Sequence, residues 1–304
     1  MNSTLRLSTF FCVLFLAISC NKSVDANQET ILKGKATLLV DATLMPVMED
    51  QVQIFESRYD ATIGINAQSE TEVIQSLVKD TSSIAVLSRK LNADEMKIFA
   101  NRKIIPKITP IALDAVALIT NSNSKDTLVD IKAVIDFMNG NPSPKIKGLV
   151  FDNANSSTVR YMNKLAGLTT IPQKGVFSFG TNNEVIKFVS QNEGMIGVVG
   201  LNWLTQPRPE MQSYVDKVVA LSVKGNNQND FFAPDQNNIA EGKYALAREI
   251  YIVNCQGFSG LGMGFASFVA GDIGQRIILK SGLLPYKVPP RKLSIRNQIN
   301  NDKK

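Results

Sequence analysis

The chain has 304 residues, 44% of them hydrophobic and 20% charged, with a formal net charge of +6. That is the make-up of an ordinary globular protein, large enough for one big domain or two lobes, and it excludes a disordered or fibrous chain. Histidine is absent, which excludes His-based triads and His-ligated metal, and the basic residues are too dispersed to mark a nucleic-acid surface.

Arg6 precedes a mostly apolar run, Leu7 to Ile18, of the length of a signal-peptide core and too short to span a membrane. It ends in Leu16-Ala17-Ile18-Ser19-Cys20. Small residues before a Cys resemble a bacterial lipobox, so residues 1–19 are expected to be a signal peptide and Cys20 the lipidated first residue of an exported protein. Ordinary cleavage near Ser19 is the alternative. Residues 20–34 are polar and without period, as a tether from membrane to domain would be. Cys255 is then the one cysteine left in the folded body, and with no histidine to activate it, it reads as a buried strand-end residue.

The body alternates strand and helix patterns. Thr37–Val40 reads as a strand, Asp41-Ala42-Thr43 as a turn, and Val47, Met48, Val52 and Phe55 as the apolar face of a helix with Pro46 in its first turn. Ile63 and Ile65 suggest a second strand. Ser69-Glu70-Thr71-Glu72 is a capping box before the stripe Val73, Ile74, Leu77, Val78. Ile84–Leu87 is a short, continuously apolar strand closed by Ser88-Arg89, and Asn92 with Glu95 forms another capping box. Ile104–Ile108 and Ile111–Thr120 read as strands split by Pro106 and Pro110, and one carboxylate, Asp114, interrupts the second. Asp126 or Thr127 is the expected cap of a helix through Ile131, Val134, Ile135 and Met138.

Val150-Phe151 then runs into Asp152-Asn153-Ala154-Asn155-Ser156-Ser157-Thr158, a turn of hydrogen-bonding side chains at a helix start. Unpaired N–H groups and the helix dipole make such a place attractive to an anion. Val176–Phe179, Met195–Val199, Val218–Val223 and Ile250–Val253 read as further strands, and Thr181 with Glu184 as a third capping box. Residues 225–238 read as a polar loop, Leu261–Val269 and Ile273–Leu279 as helices, and 289–304 as a basic, polar tail. Alternating strands and helices mean an α/β fold with mostly parallel sheets.

Four polar clusters fall at strand ends: Ala42-Thr43, Ser88-Arg89, Asp114 and Asn155 to Thr158. In open α/β sheets the ligand crevice lies beyond the carboxyl ends of the strands. Hydroxyls, N–H groups and Arg89 can donate to an oxyanion, while Asp114 can accept a proton from one. This combination suits hydrogen phosphate better than sulfate. Each cluster alone has a plainer reading: Ser156 as an N-cap, Ser88-Arg89 as a surface turn, Asp114 as half of a structural pair.

In this order the motifs resemble a phosphate-type substrate-binding protein of ABC transporters, in the two-lobed periplasmic binding protein superfamily (type II). Ile84–Arg89 with Asn92–Glu95 resembles the family's strand ending in Ser-Arg, and Ile111–Ala117 its hinge strand with a ligand-contacting Asp. Ser156-Ser157-Thr158 stands where the family has Ser-Gly-Thr, Glu193–Val198 resembles its Gly-x-Ile-Gly-Tyr strand, and Tyr244–Arg248 its return hinge. Gly274–Ile278 resembles a late helix of the family. The resemblance implies one lobe from residues 35–118 with 245–288 and another from 119–244. It implies phosphate or a related oxyanion bound between the lobes by Thr43, Ser88, Arg89, Asp114, Ser156, Ser157 and Thr158, with Ala42, Asp152 and Asn155 nearby. No cofactor, metal or catalysis is implied. The expected partners are a membrane permease and, through the lipid, the membrane itself; the protein is expected to be a monomer. Asp152 stands where the family usually has Arg, and Asp41, Asp114 and Asp152 near one cleft leave open a cationic or zwitterionic solute on the same fold; a surface lipoprotein outside transport is a separate alternative.

Overall fold

The computed structural model describes residues 29–288. The leader at 1–19, Cys20, most of the expected tether and the tail at 289–304 lie outside the described residues. The chain is already engaged at Glu29, whose carboxylate accepts the Leu261 N–H at 2.7 Å.

Strand β1 (Lys33–Asp41) leads through a 3-10 turn (Ala42–Leu44) into α1 (Met45–Glu56), with Pro46 in the first turn, where its missing N–H costs nothing. β2 (Asp60–Gln68), α2 (Glu70–Lys79), β3 (Ile84–Leu87) and α3 (Ala93–Asn101) follow, the two helices opened by the capping boxes at Ser69/Glu72 and Asn92/Glu95. Next is β4 (Lys107–Asn121), one continuous strand of 15 residues rather than two. Pro110 does not split it because the strand is bulged there: Tyr251 pairs with Pro110 and Ile250 with Ala112, leaving Ile111 as the extra residue.

Beyond β4 come β5 (Leu128–Asp130), α4 (Ile131–Met138), β6 (Gly148–Phe151), α5 (Ser157–Ala166), β7 (Val176–Ser178), α6 (Asn182–Gln191) and β8 (Met195–Gly200). The cap of α4 is Asp130, which accepts the Lys132 N–H at 2.9 Å; the expected cap Asp126 instead bonds Leu128 N and Lys145. The segment 218–223 divides into β9 (Val218–Ala220) on β4 and β10 (Ser222–Lys224) on β5, because Leu221 turns inward between them. The polar loop ends in a short helix, Gln236–Ala240, before β11 (Ala247–Asn254), α7 (Leu261–Val269), α8 (Asp272–Lys280) and β12 (Leu284–Pro285).

The strand order β2-β1-β3-β11-β4-β8-β6-β7 makes two half-sheets that share β4. Pairs β1–β2, β1–β3, β6–β7 and β6–β8 are parallel, whereas β11 and β4 run antiparallel to their neighbours. β4 pairs with β11 as far as Ala115 and with β8 from Val116 onward, so one strand passes from one half into the other. Val86, Val150 and Val198 lie in one apolar cluster that runs through both halves. A smaller cluster under α2 and α3 contains Cys255, 2% exposed, whose thiol is pushed up to about 12 by burial. That thiol is packing, not a nucleophile.

Candidate functional site

Where β4 and β11 cross between the halves, Asp114 and Arg248 are direct cross-strand partners. Arg248 Nε and Nη2 donate to Asp114 Oδ2 at 3.0 and 2.8 Å. The remaining donors reach outward to both sides. Nη1 donates to Ser157 Oγ at 2.7 Å, at the start of α5 in one half, and Nη2 to Thr43 Oγ1 at 3.0 Å, after β1 in the other. The two hydroxyl oxygens are 3.0 Å apart, and Thr43 donates onward to Asp41 Oδ1 at 3.0 Å. Asp41, Thr43, Asp114 and Ser157 have no exposed surface, and Arg248 is 6% exposed. The close approach of the halves is built into the backbone as well. Gly200, which ends β8, lies so near the Thr43 carbonyl that a Cβ would sit 2.7 Å from it, and the Trp203 indole donates to that same carbonyl at 3.0 Å.

Two carboxylates face one guanidinium here. Burial pushes Asp41 up to about 6, against the pull of Arg248 and with a further push from Glu70. Burial likewise raises Asp114, although Arg248 opposes it. Among the described residues, Asp41 Oδ2 and Asp114 Oδ1 are buried and accept no hydrogen bond of good geometry. Both belong to the cluster around Arg248, which bonds one hydroxyl from each half.

The turn before α5 is organised differently. Ser156 caps α5 by accepting the Val159 N–H, and both the Ser156 and Thr158 hydroxyls donate to Asp152 Oδ1 at 2.6 Å. Asn182 donates to Asp152 Oδ2 at 3.0 Å. Asp152 is 2% exposed, and burial raises its carboxyl although the Ser156 and Thr158 hydroxyls stabilise the charged form. Its three donors supply what an arginine partner would otherwise supply. Asp152 bonds neither Arg89 nor Arg160.

Those two arginines converge instead on Glu70, the first residue of α2, which is 2% exposed. Arg160, from α5, approaches bidentately at 2.5 and 2.8 Å. Arg89 Nε donates at 2.7 Å, and the Ser88 hydroxyl donates at 3.2 Å. The other edge of Arg89 grips Glu95 at 2.7 and 2.8 Å. Burial works to raise Glu70, but the hydrogen bonds and charges of Arg160 and Arg89 outweigh it and hold the carboxyl below its usual range.

The structure therefore brings Thr43, Asp114 and Ser157 together, with Ala42 in the adjoining turn. It places Ser88 and Arg89 at a neighbouring cluster around Glu70, and turns Ser156 and Thr158 toward Asp152. Asn155 is exposed. Arg248 and Glu70 are the principal residues that motif reading left out of the site. The signal for Arg248 was a charged residue in a strand pattern, Ala247-Arg248-Glu249-Ile250; its partner depends on register. Glu70 was absorbed into a capping box, yet the box works through Ser69 and Glu72 and leaves the Glu70 side chain free for other work.

A family model described as a PBP superfamily domain matches residues 25–272. The chain belongs to that superfamily. A solved structure titled as a putative phosphate ABC transporter substrate-binding protein with bound phosphate, from Clostridium perfringens, superposes with a TM-score of 0.70 at 21% identity, covering 84% of this chain and 100% of that one. An ABC-type phosphate transport receptor from Vibrio cholerae gives a TM-score of 0.62 at 17% identity, over 83% of this chain and 100% of that one. The phosphate-binding protein PstS 2 of Streptococcus pneumoniae is 24% identical over 130 residues, 40% of this chain and 42% of that protein's length. The aligned stretch thus spans less than half of that relative, and the structural matches establish the two-lobed fold.

Proposed function

We propose that this protein captures phosphate, or a related small oxyanion, between two lobes and presents it to a membrane permease, without doing chemistry on it. The observation that carries the reading is Arg248: a guanidinium on a crossing strand, bonded to one hydroxyl from each half. Such an arrangement grips an oxyanion when the halves part and close around it. Residues 35–118 with 245–288 form one lobe in this proposal and 119–244 the other, with β4 and β11 as the hinge. When the lobes open, Arg248, Thr43, Ser157 and the N–H groups at the start of α5 become available as donors. The acceptor oxygens of Asp41 and Asp114 favour an anion that still carries a proton, such as hydrogen phosphate, over sulfate. The relatives named above are phosphate-binding components by name, which supports the same ligand here. Export, lipid attachment at Cys20 and a monomeric state belong to this proposal.

The excess of carboxylate over guanidinium around Arg248 supports one other occupant on the same fold, a cationic or zwitterionic solute. Calorimetry separates the two. Inorganic phosphate is expected to bind saturably, one per chain, and Thr43→Val with Ser157→Ala to weaken it by about tenfold or more, the scale of one charge-assisted hydrogen bond. No heat with phosphate, together with a thermal shift from an amino acid or polyamine, would move the assignment to the second reading.

A further inference from the structure

Glu70 takes no part in the capping box that Ser69 and Glu72 close, although its charge in the first turn suits the helix dipole. It is nonetheless 2% exposed and receives four side-chain donors: the Arg160 fork, Arg89 Nε and the Ser88 hydroxyl. Arg89 follows β3 in one half, and Arg160 lies on α5 in the other, 90 residues from Glu70 in sequence. Their side chains remain 22% and 36% exposed, so the cluster lies within reach of solvent. Four convergent donors carrying two positive charges are a set that suits an oxyanion, and a carboxylate of the chain itself sits in it.

We propose that Glu70 is a tethered anion: its carboxylate fills a two-guanidinium oxyanion seat made by Arg89 and Arg160, and so bolts the two halves together until a free oxyanion displaces it. Glu70 is then the residue that sets how readily the cleft opens and how strongly an anion must bind to enter. The inference deepens the proposed oxyanion reading and rests on it for the class of ligand. Glu70 also acts on the inner cluster, where its charge adds to the repulsion raising Asp41. A free anion that takes its place leaves that charge balance nearly unchanged, whereas a neutral occupant does not.

The test uses the full mature chain and its single tryptophan, Trp203, which bonds across the cleft to the Thr43 carbonyl and so reports its opening. Glu70→Gln keeps the shape and removes the charge. Ligand-free Glu70→Gln is expected to show red-shifted Trp203 emission and a larger radius of gyration than wild type. It is also expected to bind inorganic phosphate or sulfate about tenfold more tightly, since no internal carboxylate competes for the seat. Arg160→Met cuts the same contact from the other side and removes the seat, so it should open the ligand-free protein without any gain in anion affinity; it also carries the opening arm should Glu70→Gln fold poorly. The proposal is overturned if Glu70→Gln stays closed with unchanged affinity, or if Arg160→Met gains affinity equally. Phosphate binding by Glu70→Gln but not by wild type would uphold Glu70 and overturn the Arg248-centred reading. Wild-type phosphate binding that Glu70→Gln leaves unchanged would do the reverse.

Discussion

Arginine meets carboxylate twice in this cleft, in opposite surroundings. The Asp114 and Arg248 side chains are 0% and 3% exposed, whereas around Glu70 the two arginine side chains keep 22% and 36% of their surface. Coulomb attraction is common to both, so solvent makes the difference. At the crossing strands neither partner can be left alone, because a lone buried charge has no water to turn to. That pair holds β4 and β11 in register whatever the ligand. At the rim, water can take over from a departing carboxylate, and the same chemistry becomes exchangeable. The charge count differs too. Inside, Asp41 and Asp114 share Arg248; outside, Glu70 and Glu95 share two arginines. The interior therefore favours a proton, whereas the rim is balanced and would carry a net positive charge if Glu70 left it.

The largest break in this comparison should come from Arg248→Met. It strands Asp114 without its partner, and urea unfolding at neutral pH is expected to show a loss of about 3–5 kcal/mol. A smaller effect tests the interior's excess of carboxylate. Asp41 has a folded value raised to about 6 from 3.8. Its protonated form is therefore favoured by folding: the contribution is complete below about pH 4 and is lost as pH rises through about 6. Lowering the pH from 7.5 to 5 should stabilise wild type relative to Asp41→Asn by roughly 1–2 kcal/mol, read from paired denaturation curves. No difference between the two proteins over this range would mean that Arg248 keeps Asp41 ionised throughout. The smallest effect belongs to the rim. Ser88→Ala removes one long hydrogen bond to Glu70, of 3.2 Å, from a carboxylate that three arginine contacts still hold. Stability is expected to change by no more than about 0.5 kcal/mol. A loss several times larger would make the rim as obligatory as the interior.

Asp152 shows how far motif reading reached. The turn from Asp152 to Thr158 was legible as a helix start, and Ser156 is its N-cap. Asp152 itself read as a charge problem beside an anion. In the fold Ser156, Thr158 and Asn182 satisfy it, and Asn182 comes from the start of α6. The pairing of Asp152 with Asn182 follows from how β6 and α6 lie together, which no local pattern states. Pro110 teaches the same lesson from the backbone. It read as a strand break, and the β11 register converts it into a bulge within one long strand.

By itself the sequence determined the α/β alternation, the three capping boxes and most strand cores, because these depend on residue type and on periods of two and 3.6. It also singled out Thr43, Asp114 and Ser157, which do converge. Only the tertiary structure decided that Arg248 stands opposite Asp114, and that Glu70 claims Arg89 and Arg160. Both are pairings between charges 134 and 90 residues apart for Asp114–Arg248 and Glu70–Arg160. The energy of such a pair depends on distance and on exclusion of water, and the closed packing of the two halves sets both.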